Sequence, residues 1–166
     1  MERKPGQYSD RPLSAGDAAY VVALHRLPHA AAFLHCPTEI GIAELAGDES
    51  VRARVVVDAA GRPAGFIVMS VQDGWLMQIH GIVAERPRSG AGRSALREAL
   101  RWAFDDVGAH RVWLEVTASN ANARRLYESE GFVHEGTYRD GYRTATGDYQ
   151  DLAHYGILKH EWRALS

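Results

Sequence analysis

The chain has 166 residues, 46% hydrophobic and 24% charged, the make-up of an ordinary folded globule rather than a fibrous or disordered one. With 19 basic against 21 acidic side chains its net charge is −2, which argues against a bulk nucleic-acid or membrane binder but leaves room for a local basic pocket. The single cysteine, Cys36, cannot form an intrachain disulfide, the charged start at residues 1–5 leads into no apolar signal core, and no stretch reaches the ~18 apolar residues that cross a bilayer. The expectation is a cytoplasmic protein with one domain over residues 1–166.

Residues 8–13 read as a first strand. Ser14 and Asp17 then bracket a helix-start signal, because both side chains can accept from backbone N–H groups left free there. A helix over 18–27 follows, and after it a helical stretch broken at Pro28 and Pro37. Beyond a turn at 47–50 come three strand patterns: the valine-rich 51–57, then 64–71, then 75–83 after the hairpin signal Asp73-Gly74. A loop at 84–89 precedes the clearest helix. Its Leu96, Ala99, Leu100, Ala103 and Val107 share one apolar face, Arg93, Arg97 and Arg101 form a ridge on another, of which Arg97 and Arg101 read as solvated, and Gly108 closes it. Residues 111–117 form a strand, Asn120 opens a short helix closing at Gly131, and last strands over 132–138 and 150–160 flank a polar turn region at 139–148. This order implies an α/β (α+β) architecture: a mixed, mostly antiparallel central sheet of about seven strands with helices on both faces.

Arg88-Ser89-Gly90-Ala91-Gly92-Arg93 lies between a strand and the long helix. Glycines there let a backbone approach a bulky group, and the first helical N–H groups carry the positive end of the helix dipole. With Arg88 and Arg93 the segment suits a diphosphate, although by itself it reads equally as a flexible turn with solvated arginines. A Walker loop is excluded because no Gly-Lys-Ser or Gly-Lys-Thr follows, and the Rossmann fingerprint fits poorly.

Downstream, Glu115 sits in a strand and is followed by N-x-x-A-x-x-L-Y-x-x-x-G-F from Asn120 to Phe132. Over residues 64–162 the chain resembles the GNAT superfamily of acetyl-CoA dependent N-acetyltransferases. The stretch 113–132 is most similar to the group that acetylates the N-terminal amines of ribosomal proteins. The resemblance implies the GNAT acyl-CoA N-acyltransferase fold, acetyl-CoA as co-substrate without a metal, and direct attack of a primary amine on the bound thioester in a ternary complex. It places the coenzyme against the backbone of Ile82 and Val83, against Arg88, Ser89, Gly90, Ala91, Gly92 and Arg93, and near Asn120. Pro87 stands where the family usually has Gln or Arg, so the arginine that meets the coenzyme stays open among those that flank the loop.

Tyr127 is the candidate general acid, since a phenol with a pKa near ~10 is protonated at neutral pH. Glu115 is the candidate general base, acting through water, or else a partner for a nearby arginine on the sheet. Tyr127 from its spacing alone reads as a core tyrosine, and Asn120 serves at least as a helix cap. His25 and His29 share helical spacing without a zincin acid, and His80 is a reserve base or a liner of the acceptor pocket. Trp75, Trp113 and Tyr138 read as core or sheet-face packing. The acceptor is an amine, either a peptide N-terminus or a small molecule. Phe33, His35, Glu39, Glu44, Tyr142, Asp148 and Tyr149 are the candidates to shape its pocket, the acids suiting a cationic amine such as a peptide N-terminus, a polyamine or an aminoglycoside. No nucleic acid or membrane is implied, and a homodimer is the commonest symmetric assembly. The other readings are a non-catalytic acyl-CoA-binding module on the same fold, or a structural domain without coenzyme.

Overall fold

In a computed structural model describing residues 7–165, the strands are β1 (Tyr8–Pro12), β2 (Val51–Asp58), β3 (Pro63–Val71), β4 (Leu76–Ala84), β5 (Arg111–Thr117), β6 (Val133–Arg143) and β7 (Tyr149–Leu158). The charged start at residues 1–5 lies outside the described residues. One seven-stranded sheet forms in the order β1-β2-β3-β4-β5-β7-β6. Every neighbouring pair is antiparallel except β4 with β5.

Successive side chains of a strand point to opposite faces, so the valine run of β2 feeds two cores. Val55 and Val57 bury with Phe66, Val83 and the helices α1 (Ala18–His25), α2 (Pro28–Ala31) and α3 (Glu39–Ala46). Val56 turns the other way, joining Ile67, Met69, Ile79 and Leu114 beneath Leu96 and Leu100 of α4 (Ala91–Arg101). Leu96 is fully buried, and its truncation to alanine would cost about 3 kcal/mol. No helix among the described residues is long and apolar enough to cross a membrane.

Several expected boundaries move. The helix expected over 18–27 ends at His25. Asp17 accepts from the Ser14 N–H (2.9 Å), the Ser14 hydroxyl (2.7 Å) and Arg11, closing a capping box with Ser14 at this helix start. After Arg101 the chain widens into a π-helical stretch, Trp102–Val107, which buries Phe104 and lays Trp102 4.4 Å from the Arg52 guanidinium. Gly108, at φ +80°, ends it as expected. β6 runs on to Arg143 because a bulge between Tyr138 and Tyr142 absorbs the polar segment, with Asp140 at φ +51° donating its N–H to Asp151. The last strand stops at Leu158, where the backbone N–H donates to Glu161 (2.8 Å), and Lys159–Leu165 is a helix, α6, that sets Trp162 on Phe104. The arginine ridge is not simply solvated: Arg97 donates to both oxygens of buried Glu130 (2.6 and 3.1 Å), and Arg101 pairs with Glu98 and Asp106. Trp113 does pack on the sheet face, stacked on His154 at 5.0 Å, whereas Trp75 and Tyr138 are half exposed.

Candidate active site

β4 and β5 pair only from Leu76 opposite Arg111 to Ile79 opposite Leu114. At that point β4 carries an extra residue. Val68 pairs with Gly81 and Met69 with Ile79, which leaves His80 as a bulge. A bulge bends its strand away from the ladder, so the edge of β4 that faces β5 has no strand partner from His80 onward. The two strands part into a cleft of about 1140 Å³.

The mouth of the cleft is the glycine loop. Gly90 caps α4 at φ +96°, and Arg88 also takes a left-handed φ of +60°, a conformation that costs a non-glycine residue about 1 kcal/mol. The Ala91 N–H donates to Ser89 Oγ (3.3 Å), and the Ala91 side chain is buried. The next amides, those of Gly92 and Arg93, have no acceptor within the first turn of a helix, and both residues line the cleft. Arg93 is committed to Ser129 (3.1 Å) and Glu130 (3.0 Å). Arg86 and Arg88 line the mouth and make no side-chain hydrogen bond or ion pair among the described residues.

Helix α5 (Ala121–Ser129) forms the far wall. Asn120 caps it by accepting from the Ala123 N–H (3.2 Å), and Asn120 also lines the cleft. Two turns in, Tyr127 is buried against the rings of Phe132 and Tyr155. Its hydroxyl has no hydrogen-bond partner among the described residues, and burial pushes its pKa up to about 12. Across from it, Glu115 of β5 meets no arginine. Its ionisable neighbour is His154, the residue opposite it on β7, with Nδ1 3.6 Å from Oε1. Thr117 Oγ1 is buried at the cleft wall without a partner. His80 lies 2.7 Å from Ser70 Oγ, and burial lowers its pKa.

Residues 19–132 match the model of the acetyltransferase (GNAT) family. The chain belongs to the GNAT acetyltransferases. A spermidine N(1)-acetyltransferase of Vibrio cholerae is 32% identical over 81 residues, which are 49% of this chain and 46% of that protein. The [ribosomal protein bS18]-alanine N-acetyltransferase of Escherichia coli is 47% identical over 64 residues, 39% of this chain and 42% of that protein. The matched stretch thus spans less than half the length of these curated relatives. A solved structure of the V. cholerae spermidine N-acetyltransferase, in complex with CoA and spermine, shares the fold with a TM-score of 0.82. It is 24% identical and covers 95% of this chain and 98% of that one.

In this GNAT protein the cleft gathers Ile82, Val83, Arg88, Ser89, Gly90, Gly92, Arg93, Glu115, Asn120 and Tyr127 from the expected set. The cleft also draws in His29, Phe33, Gln78, His80 and Tyr142. The expected acidic pocket is not built. Glu39, Glu44, Asp148, Tyr149 and His35 do not line the cleft, whose single carboxylate among the described residues is Glu115. His35 instead braces the rim, its Nε2 2.9 Å from Arg143 O and its ring on Tyr142. His29 is bound at Nε2 by Ala84 O, and His25 at Nδ1 by Val21 O. Thr117, Arg125, Asn122 and Gln78 carried no motif that sequence reading could have used.

Proposed function

We propose that this GNAT protein moves the acetyl group of acetyl-CoA directly onto a primary amine within a ternary complex. One observation carries the reading: a split between parallel strands, with uncommitted amides and arginines at its mouth and a buried phenol and a carboxylate at its inner end. That arrangement fits an elongated ligand with phosphates at one end and a reacting group at the other. Acetyl-CoA supplies the activated acetyl group and a thiolate leaving group.

The Gly92 and Arg93 amides would hold the diphosphate, joined by Arg86 and Arg88, whose guanidinium groups have no competing partner. The backbone of Ile82 and Val83, on the unpaired edge of β4, would hold the carbonyls along the arm. Tyr127 stays protonated throughout the neutral range and donates a proton at the sulfur position. Glu115 takes the amine proton through water. Because Glu115 is the only carboxylate lining the cleft among the described residues, and Phe33 and Tyr142 also line it, an acceptor with one ammonium and an apolar neighbour suits the site better than a polyamine. A peptide N-terminus and a small aromatic or aliphatic amine both meet that description. A cytoplasmic setting, where acetyl-CoA and reduced thiols coexist, agrees with the single cysteine.

Thiol release from acetyl-CoA across a panel of peptide and small-molecule amines tests the reading. Turnover with at least one mono-ammonium acceptor is expected. Tight coenzyme binding with no thiol release from any amine would instead make the protein a binding module.

A further inference from the structure

The Tyr127 hydroxyl has no hydrogen bond of its own among the described residues, so its aim is set by ring packing and by where α5 sits. Both ends of that nine-residue helix are tied: Asn120 caps the start, and Arg93 and Arg97 reach Glu130 at the end. The middle is held from β7. Tyr155 lies opposite Leu114 of β5 and His134 of β6 and is fully buried. Its ring stands 6.2 Å from that of Tyr127. Its hydroxyl reaches between two side chains of α5, accepting from Arg124 Nε (2.9 Å) and donating to Glu128 Oε1 (2.7 Å). Arg124 and Glu128 are four residues apart and share one face of the helix, with Tyr127 between them in the sequence and on the same half of the helix. The phenol thus stands between two charged groups whose spacing would let them pair directly. Arg124 also donates to Ala118 O (3.1 Å), in the turn that leads into α5.

We infer that Tyr155 is a positioning residue: its hydroxyl fixes the turn of α5 that carries Tyr127 and so aims the Tyr127 hydroxyl at the sulfur position. The inference rests on the acetyl-transfer reading above, in which Tyr127 donates the proton. β7 is paired on both sides at Tyr155, so its register is fixed and the phenol oxygen is a set point of the sheet. Two charge-assisted hydrogen bonds to that one oxygen set both the rotation of α5 and its position along its axis, since Arg124 anchors one turn and Glu128 the next. Tyr127 rides between these anchors. A misplacement of about 1 Å from a change remote from the chemistry can cost about 100-fold in rate. Phenylalanine at 155 would keep the ring packing and lose only the anchor. With both helix ends still tied, the expected loss is smaller, about tenfold.

A double-mutant cycle on the full chain tests this, with kcat read at saturating acetyl-CoA and amine. Tyr155→Phe should lower kcat about tenfold and leave the calorimetric Kd for CoA within about twofold. In a Tyr127→Phe background the same change should cost nothing further, because the hydroxyl it aims is gone. An equal fall in both backgrounds, or an unchanged kcat in Tyr155→Phe, overturns the inference. Glu128 is exposed, so its variants answer the same question if Tyr155→Phe fails to fold. Glu128→Ala should lower kcat, and Glu128→Gln, which keeps an oxygen for the phenol to donate to, should recover most of the loss; equal activity of the two overturns the inference. Full kcat in Tyr127→Phe, or no turnover with any amine, would count against the acetyl-transfer reading instead. Carbon-13 NMR with tyrosine labelled at Cζ then decides the positioning by itself. The Tyr127 signal, assigned by its loss in Tyr127→Phe, should shift in Glu128→Ala and return in Glu128→Gln; a signal unmoved by Glu128→Ala overturns the inference.

Discussion

At the mouth of the cleft the donors are mostly backbone: Gly92 and Arg93 amides set by one helix start, with Arg86 and Arg88 beside them. At the inner end the functional groups are side chains brought from β4, β5, α5 and β6: His80, Glu115, Tyr127 and Tyr142. The mouth depends on one local conformation and tolerates changes in side chains that point elsewhere. The inner end depends on four separate segments meeting, and each of its side chains is individually replaceable. A coenzyme common to a family suits the first kind of site, and an acceptor that differs between members suits the second.

Substitutions at the two ends should therefore separate. Gly90→Val should have the largest effect, because φ +96° is closed to a β-branched residue; coenzyme affinity measured by calorimetry should fall more than about 100-fold, with any residual kcat at saturating coenzyme little changed. Tyr127→Phe should do the reverse, lowering kcat about 100-fold while the calorimetric Kd for coenzyme stays within about twofold. The pH profile sharpens this second case. Burial raises the phenol's pKa to about 12, so its protonated, donating form persists as pH rises and is lost only near that value. Any alkaline fall in kcat below about pH 10 should then survive in Tyr127→Phe.

Smaller effects grade the mouth. Arg86→Ala and Arg88→Ala should each weaken coenzyme binding about tenfold, less at high salt, whereas Arg97→Ala should leave the Kd unchanged because its guanidinium is committed to Glu130. At the inner end, Phe33→Ala should raise the KM of the best amine about fivefold without altering coenzyme affinity. Equal effects of Phe33→Ala on both substrates would erase the distinction between the two ends.

The same contrast explains what could be read from the chain. β5 was legible residue by residue, 111–117, because alternation and flanking turns bound it on both sides. Asn120 and Gly131 marked α5 because capping and a left-handed exit are local demands, and Gly131 sits at φ +91°. The glycine loop was legible for the same reason. The π-helical widening at Trp102–Val107 was not, since it follows from packing Phe104 into the core. Nor was α6, whose apolar and charged residues fit a strand as well as a short helix until Glu161 caps it. Arg97 with Glu130, and Glu115 with His154, lie 33 and 39 positions apart, and only the fold brings them together. For the same reason Glu39 and Asp148 were expected in an acceptor pocket from which the fold keeps them.

A crystal structure of the full chain with CoA tests the arrangement most directly. Diphosphate oxygens are expected within hydrogen-bonding distance of the Gly92 and Arg93 N–H groups, with the sulfur beside the Tyr127 hydroxyl. Coenzyme seated elsewhere, for instance in the depression between Leu45 and Trp102, with the loop amides untouched, would contradict it.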